Sequence, residues 1–105
     1  MVDVIKISKT PEFEEWLAGL NSKEQAQIEA RLFRIKEFGH LGDFKKLEGT
    51  SGALYELRWN NGWRVYFYRE DVAAILVLLG GKKNDQKKDI KKAENLFRKY
   101  AYYKK

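Results

Sequence analysis

Two arginines six residues apart, one on each side of an Asn-Asn-Gly turn, are the residues of this chain best suited to chemistry. They lie in Leu54 to Phe67, which reads Leu-Tyr-Glu-Leu-Arg-Trp-Asn-Asn-Gly-Trp-Arg-Val-Tyr-Phe. Two alternating runs joined by that turn predict a β-hairpin. A two-residue loop would set Trp59 opposite Arg64 and mix apolar and charged groups on both faces. A three-residue loop with Gly62 in the left-handed region sets Trp59 opposite Trp63 and Arg58 opposite Arg64. One face then carries Tyr55, Leu57, Trp59, Trp63, Val65 and Phe67; the other carries Glu56, Arg58, Arg64 and Tyr66. Register follows such patterns, because a slip of one residue flips every side chain. The expectation is therefore an exposed face with two arginines.

Like charges directly opposite one another destabilise a sheet. Guanidiniums present planar, bidentate donors, so a phosphate between Arg58 and Arg64 would relieve the repulsion. An ion pair to the diagonal Glu56 is the structural alternative. Lys45 and Lys46 before the hairpin, and Lys82 and Lys83 after the next apolar run, are expected on the same face. Tyr66 and Tyr68 could stack on unpaired bases, although core packing is the commoner fate of tyrosine.

Most other site chemistry lacks its residues. The chain has no cysteine and one histidine, His40, so neither a His/Cys metal cluster nor a Cys-His pair can form. No nucleophile-elbow, dinucleotide or phosphate-loop motif occurs. Gly80-Gly81-Lys82-Lys83 ends an apolar run and could hold a phosphate through amides and ammonium groups; a turn with solvated lysines accounts for it equally well. No metal and no cofactor are expected.

The 105 residues suit one domain, 1–105, and the 44% hydrophobic content is ample for a core. The start, Met-Val-Asp-Val-Ile-Lys, is too short and too charged for a signal peptide. The longest apolar run, Val72 to Leu79, is too short to span a bilayer as a helix. A soluble cytoplasmic domain without membrane contact is expected. Residues 82–105 hold ten of the 21 Lys and Arg but three of the 15 Asp and Glu, and the excess there accounts for the net charge of +6. Lys87, Lys88 and Lys91 in this stretch are candidate RNA contacts. A lysine-rich solvated helix explains the same charge.

Elements that would position these groups follow in order. Val2 to Lys9 alternates as a strand. Thr10-Pro11 is a hydroxyl cap followed by proline at the first helical position. Phe13, Trp16, Leu17 and Leu20 form one apolar stripe, and Gly19 and Asn21 end that helix. Ser22 to Gln25 reads as a capping box opening a second helix. Ala26, Ile28, Leu32 and Ile35 line it and Gly39 closes it. Lys45-Lys46-Leu47 is a short strand or lip. After the hairpin, Val72 to Leu79 reads as a central strand covered on both sides, broken by Gly80-Gly81. A basic helix runs from about Asp85 toward Tyr103, with Ile90, Ala93, Phe97 and Tyr100 as its apolar stripe. The class is α+β: an N-terminal strand and helical hairpin on a small twisted antiparallel sheet, then a basic C-terminal helix. Something must also cover the arginine side of the apolar strand, either that helix or a partner's segment.

The segment Glu-Leu-Arg…Gly-Trp-Arg-Val-Tyr, the strand ending Leu-Leu-Gly-Gly-Lys-Lys and the following Asp-Gln-Lys-Lys-Asp-Ile-Lys-Lys-Ala resemble the RelE/ParE superfamily of toxins. The closest likeness is to its HigB-like branch, often labelled addiction-module killer proteins. Nearly the whole chain is covered, and the family element order agrees with the one read above. The resemblance implies a type II toxin neutralised by a cognate antitoxin, in this branch often a HigA-like helix-turn-helix protein. It implies an endoribonuclease (mRNA interferase) that cuts mRNA on the ribosome, the 2′-hydroxyl attacking its own phosphate. Such a reaction needs a base, a leaving-group acid and cations against the phosphorane charge. By match to the family, Arg64 stabilises that charge, Lys46 lies on the basic lip, Lys83 follows the last strand, and Arg58 is a secondary phosphate contact. Glu56, a lysine with a lowered pKa, or Asp85 and Asp89 are the proton-transfer options, since tyrosines recur only at Tyr100, Tyr102 and Tyr103. A ParE-like inhibitor of gyrase and a basic RNA- or partner-binding module are the alternatives.

Overall fold

A computed structural model describes residues 5–49 and 54–102. Its elements run β1 (Lys6–Lys9), α1 (Pro11–Ala18), α2 (Ser22–Phe38), β2 (Phe44–Lys46), β3 (Leu54–Arg58), β4 (Trp63–Asp71), β5 (Ala74–Lys82), a 3-10 turn (Lys83–Asp85) and α3 (Gln86–Tyr102). The strands form one sheet in the order β1-β5-β4-β3-β2. The α+β class and the element order agree with the sequence reading. The sheet is mixed rather than wholly antiparallel, because β1 adds to the edge of β5 in parallel. Residues 2–4 of the expected first strand lie outside the described residues.

Helix boundaries follow local chemistry. The Thr10 side chain accepts from the Phe13 amide, and Pro11 begins α1. The box that opens α2 sits one residue earlier than the sequence suggested: Asn21 accepts from the Glu24 amide at 2.9 Å while Glu24 reaches back to the Asn21 amide. Ser22 is already helical, and Asn21 is the stronger cap. Gly39 closes α2 in the left-handed conformation.

The sheet is covered on both sides. Phe13, Leu17, Ile28, Leu32 and Ile35 from α1 and α2 pack on Leu57, Trp63, Val65, Phe67, Ile75 and Val77. Ala93 and Leu96 of α3, with Ile90, Phe97 and Tyr100, pack on Leu54, Tyr66, Leu76 and Leu78 of the opposite face. Each fully buried side chain of this size contributes about 1.5–3 kcal/mol. Ala26, expected on the seam of α2, is exposed, and Leu96 takes a core place that the predicted α3 stripe omitted.

Strand β5 starts two residues later than expected, leaving Val72 in the turn at 78% exposure. It also continues through Gly80-Gly81 instead of breaking there. A register shift precedes the glycines: Tyr66 pairs Leu79 but Phe67 pairs Val77, so Leu78 is the extra residue. The glycines are there because of what packs on them. A Cβ on Gly80 would lie 2.2 Å from the Trp16 ring, and one on Gly81 would lie 2.0 Å from an Asp89 carboxylate oxygen. Gly80→Ala is expected to cost about 1–3 kcal/mol by forcing the indole out of the core. Gly81→Ala should cost less, since the end of an aspartate side chain can move. Urea unfolding of the two variants checks that order; a larger loss from Gly81→Ala would contradict it.

Candidate functional site

The hairpin has the register its pattern demanded. Arg58 pairs Arg64, Leu57 pairs Val65 and Glu56 pairs Tyr66. The Trp59 amide donates to the Trp63 carbonyl and the Gly62 amide to the Trp59 carbonyl, both at 3.1 Å, closing a three-residue loop. Gly62 takes φ +98°, a value that L side chains rarely adopt.

The arginine face is not open as expected. Because α3 covers it, Arg64 is only 5% exposed, and Glu56 and Tyr66 are fully buried. Arg58, at the margin, keeps 39% of its side chain exposed. Glu56 lies between the two cations: its Oε1 is 3.2 Å from Arg64 Nε and 3.4 Å from Arg58 Nε. Gln86, the first residue of α3, donates to Glu56 Oε2 at 2.6 Å. Arg64 Nη1 donates to the carbonyl oxygens of Trp63 at 3.0 Å and Trp59 at 3.3 Å. The Arg64–Glu56 contact is an ion pair off the hydrogen-bond direction, so Glu56 Oε1 and Arg64 Nε keep unused hydrogen-bonding capacity. One carboxylate thus holds two like charges together, with two main-chain carbonyls and an amide fixing the rest.

The lysines divide differently from the sequence expectation. Lys45 pairs Glu56 and so shares the arginine face, whereas Lys46 pairs Tyr55 and belongs to the opposite face. Side chains alternate across a strand, so only one of two adjacent lysines can face the arginines. Lys82 pairs Trp63 and places its Nζ 4.9 Å from that indole, again on the other face. Lys83 is exposed, and its amide donates to the Gly62 carbonyl at 2.8 Å, which fastens the end of β5 to the hairpin tip. Lys87, Lys88 and Lys91 are exposed along α3. The structure therefore gathers Arg58, Arg64, Glu56 and Lys45 and separates Lys46 and Lys82 from them.

Tyr66 is corrected more sharply. Its ring is core and its hydroxyl is buried without a hydrogen-bond partner among the described residues, so it offers no face to a base. Burial, then the nearby Glu56 and Asp89 carboxylates, pushes its phenol well above the ordinary tyrosine range, so it is no base at neutral pH. Glu56 is likewise enclosed and committed to the arginines, which makes it a positioning group for Arg64.

Two residues went unnoticed in the sequence. Gln86 reads as one more polar residue of a basic helix, yet it ties α3 to Glu56. Arg31 of α2 donates to the carbonyl oxygens of Arg58, Leu41 and Asp43, and its guanidinium lies 4.4 Å from the Trp59 ring. It holds the outer end of β3 from the far side of the sheet. Only its place on the buried side of α2, one residue before Leu32, hinted at that role.

The sequence profile of the phage-derived Gp49-like proteins (DUF891) matches residues 15–98. An uncharacterized protein of Haemophilus influenzae is 38% identical over 95 residues, covering 88% of this chain and 92% of that protein. The fold is similar to that of a mutant E. coli toxin RelE in the free state, with TM-score 0.66 and 15% identity over 87% of this chain and 94% of that one. It is also similar to the archaeal RelE–RelB complex of Pyrococcus horikoshii, with TM-score 0.62 and 18% identity over 76% and 96% of the respective chains. At such identities the likeness concerns the fold, and it agrees with the three layers, the hairpin and the covering helix described above. The chain therefore belongs to the phage-derived Gp49-like family and has the fold of the RelE/ParE superfamily.

Proposed function

We infer that the protein is the toxin of a type II toxin–antitoxin pair and acts as a ribosome-dependent endoribonuclease on mRNA. The observation that carries this reading is the fixed pose of Arg64. A guanidinium held by the contact of its Nε with Glu56 Oε1 and by two main-chain carbonyls is oriented before any substrate arrives, and charge stabilisation depends on such preorganisation. In the reaction, the 2′-hydroxyl at the cleavage point attacks the adjacent phosphorus and the 5′-oxygen leaves, producing a cyclic phosphate and a free 5′-hydroxyl. Arg64 opposes the charge that builds on the phosphorane through the 5% of its surface that stays open, Arg58 and Lys45 hold the flanking phosphate, and Lys83 follows the end of β5 at the hairpin tip. Glu56 orients Arg64. The exposed Lys87, Lys88 and Lys91 contribute long-range attraction to ribosomal RNA.

Solved RelE structures in complex with RelB support an antitoxin partner by analogy of fold. The cognate antitoxin is proposed to be a HigA-like helix-turn-helix protein, and the setting to be the cytoplasm. No helix of the described residues is long and apolar enough to cross a membrane.

Mapping transcript ends after brief induction of the chain tests the reading. New 5′-hydroxyl ends in phase with codons are expected, and they should vanish when translation is blocked beforehand. Growth arrest with intact transcripts and signs of DNA damage would instead identify a gyrase inhibitor.

A further inference from the structure

On a chain of net charge +6, one cleft is predominantly acidic. It lies between α1, the end of β5 and α3, with a volume of about 570 Å³. Trp16 forms one wall, Gly80 and Gly81 form the floor, and Glu12, Glu15, Asp85 and Asp89 contribute carboxylates against Lys88 and Lys92. Glu12 is already engaged by Tyr100 and Lys99. Asp89 is different. It is only 8% exposed, its carboxylate rests on Gly81, and it makes no hydrogen bond or ion pair among the described residues. Its oxygens are not among the fully buried unpartnered atoms, so what contact they have is with the cleft that Asp89 lines. Burial and the neighbouring Asp85 push its pKa up, only partly offset by Lys88 and Lys92, as expected of a carboxylate short of a counter-ion.

The floor of the cleft is also an open strand edge. The pairing of β1 with β5 ends at Lys9 and Val77, and Thr10 makes the last bonds, to the carbonyls of Val77 and Leu78. Beyond that point no described strand pairs with β5 on this side. An extended chain can lie along such an edge and drop one side chain into the pocket below.

We propose that this cleft binds an arginine side chain of a partner protein, its guanidinium meeting Asp89 beside the Trp16 indole while the partner's backbone follows the free edge of β5. The planar guanidinium suits the site better than an ammonium, because its parallel N–H donors match the two oxygens of a carboxylate. Nucleic acid is disfavoured by the carboxylates that line the cleft. This inference does not rest on the nuclease reading and is measured by binding alone.

The test is NMR of the full chain titrated with N-acetyl-arginine methylamide, following the Trp16 indole N–H. A saturable shift with Kd on the order of 1 mM is expected for so small a probe. The citrulline counterpart, which has the same shape without the charge, should not saturate. Asp89→Asn, isosteric and with an otherwise unchanged spectrum, should weaken binding about tenfold. The surface variant Glu15→Gln/Asp85→Asn should weaken it about two- to threefold and guards against a folding defect at position 89. Equal response to citrulline, or undiminished binding by Asp89→Asn, overturns the proposal. Tighter binding of spermidine than of the arginine probe would assign the cleft to polyamines and overturn the protein source.

Discussion

Arg64→Lys is expected to lower the rate of transcript cleavage by about 10²–10³-fold, the usual loss when one preorganised charge donor is removed from such a site. The substitution keeps the positive charge, so any loss reports geometry. An ammonium cannot contact Glu56 and bond two main-chain carbonyls at once, as the Arg64 guanidinium does, and it has no flat donor edge to offer a phosphate. Single-turnover cleavage of a short message on programmed ribosomes measures the effect, and a rate within a few-fold of the parent would remove Arg64 from the chemistry. The two lysines of β2 supply an internal comparison. Lys45→Ala should slow cleavage more than Lys46→Ala, since only Lys45 shares the arginine face. The reverse order would mean that Lys46 reaches around the sheet edge.

Glu56→Ala should be the most damaging single change to stability, about 3–5 kcal/mol, because it leaves Arg64 buried and uncompensated. That is a large part of the 5–15 kcal/mol typical of a whole domain. Two effects add to the loss: Arg58 and Arg64 face one another without a mediator, and Gln86 loses the carboxylate that anchors the start of α3. Urea unfolding measures it. Adding Arg64→Met to Glu56→Ala should restore much of the loss, since an apolar side chain of similar length removes the orphan charge. A loss below about 1 kcal/mol, or no recovery in the double variant, would show that water reaches the pair.

The hairpin was legible because several local signals agreed. Asn60-Asn61-Gly62, the alternating aromatics and the two arginines admit one register that separates charge from core, and the structure has that register. The caps at Thr10 and Gly39 were legible for the same reason. Exposure was legible only in part: the apolar run of β5 called for a cover, either the C-terminal helix or a partner's segment, but not for its extension over Arg64, which depends on a helix about 25 residues away. Nothing between Leu54 and Phe67 says that Ala93 and Leu96 will pack on Tyr66, so an open arginine face was expected where a covered one exists. Lys45 and Lys46 could not be told apart without the pairing of β2, since adjacent residues of a strand differ only in which side they face. The glycines at 80 and 81 looked like a break; they are notches for Trp16 and Asp89, and a notch is invisible until its occupant is known. Arg31 and Gln86 act through contacts distant in sequence, which no spacing rule captures.

The parallel pairing of β1 with β5 bears on the order in which the molecule assembles. Thr10 bonds the carbonyl of Leu78 across 68 positions of chain, while the arginine hairpin closes across three. Closing a long loop costs more entropy than closing a short one, and contacts of this reach slow folding. During synthesis the first strand and both leading helices must therefore emerge and wait, without the edge that will receive them, until β5 has cleared the ribosome. The groups that hold Arg64 lie between Glu56 and Gln86, so the cationic site can form as a local unit before the first strand docks beside it. A nascent chain will pass through an interval in which its arginine face exists on an unfinished scaffold, and a partner able to act in that interval need not compete with the completed fold.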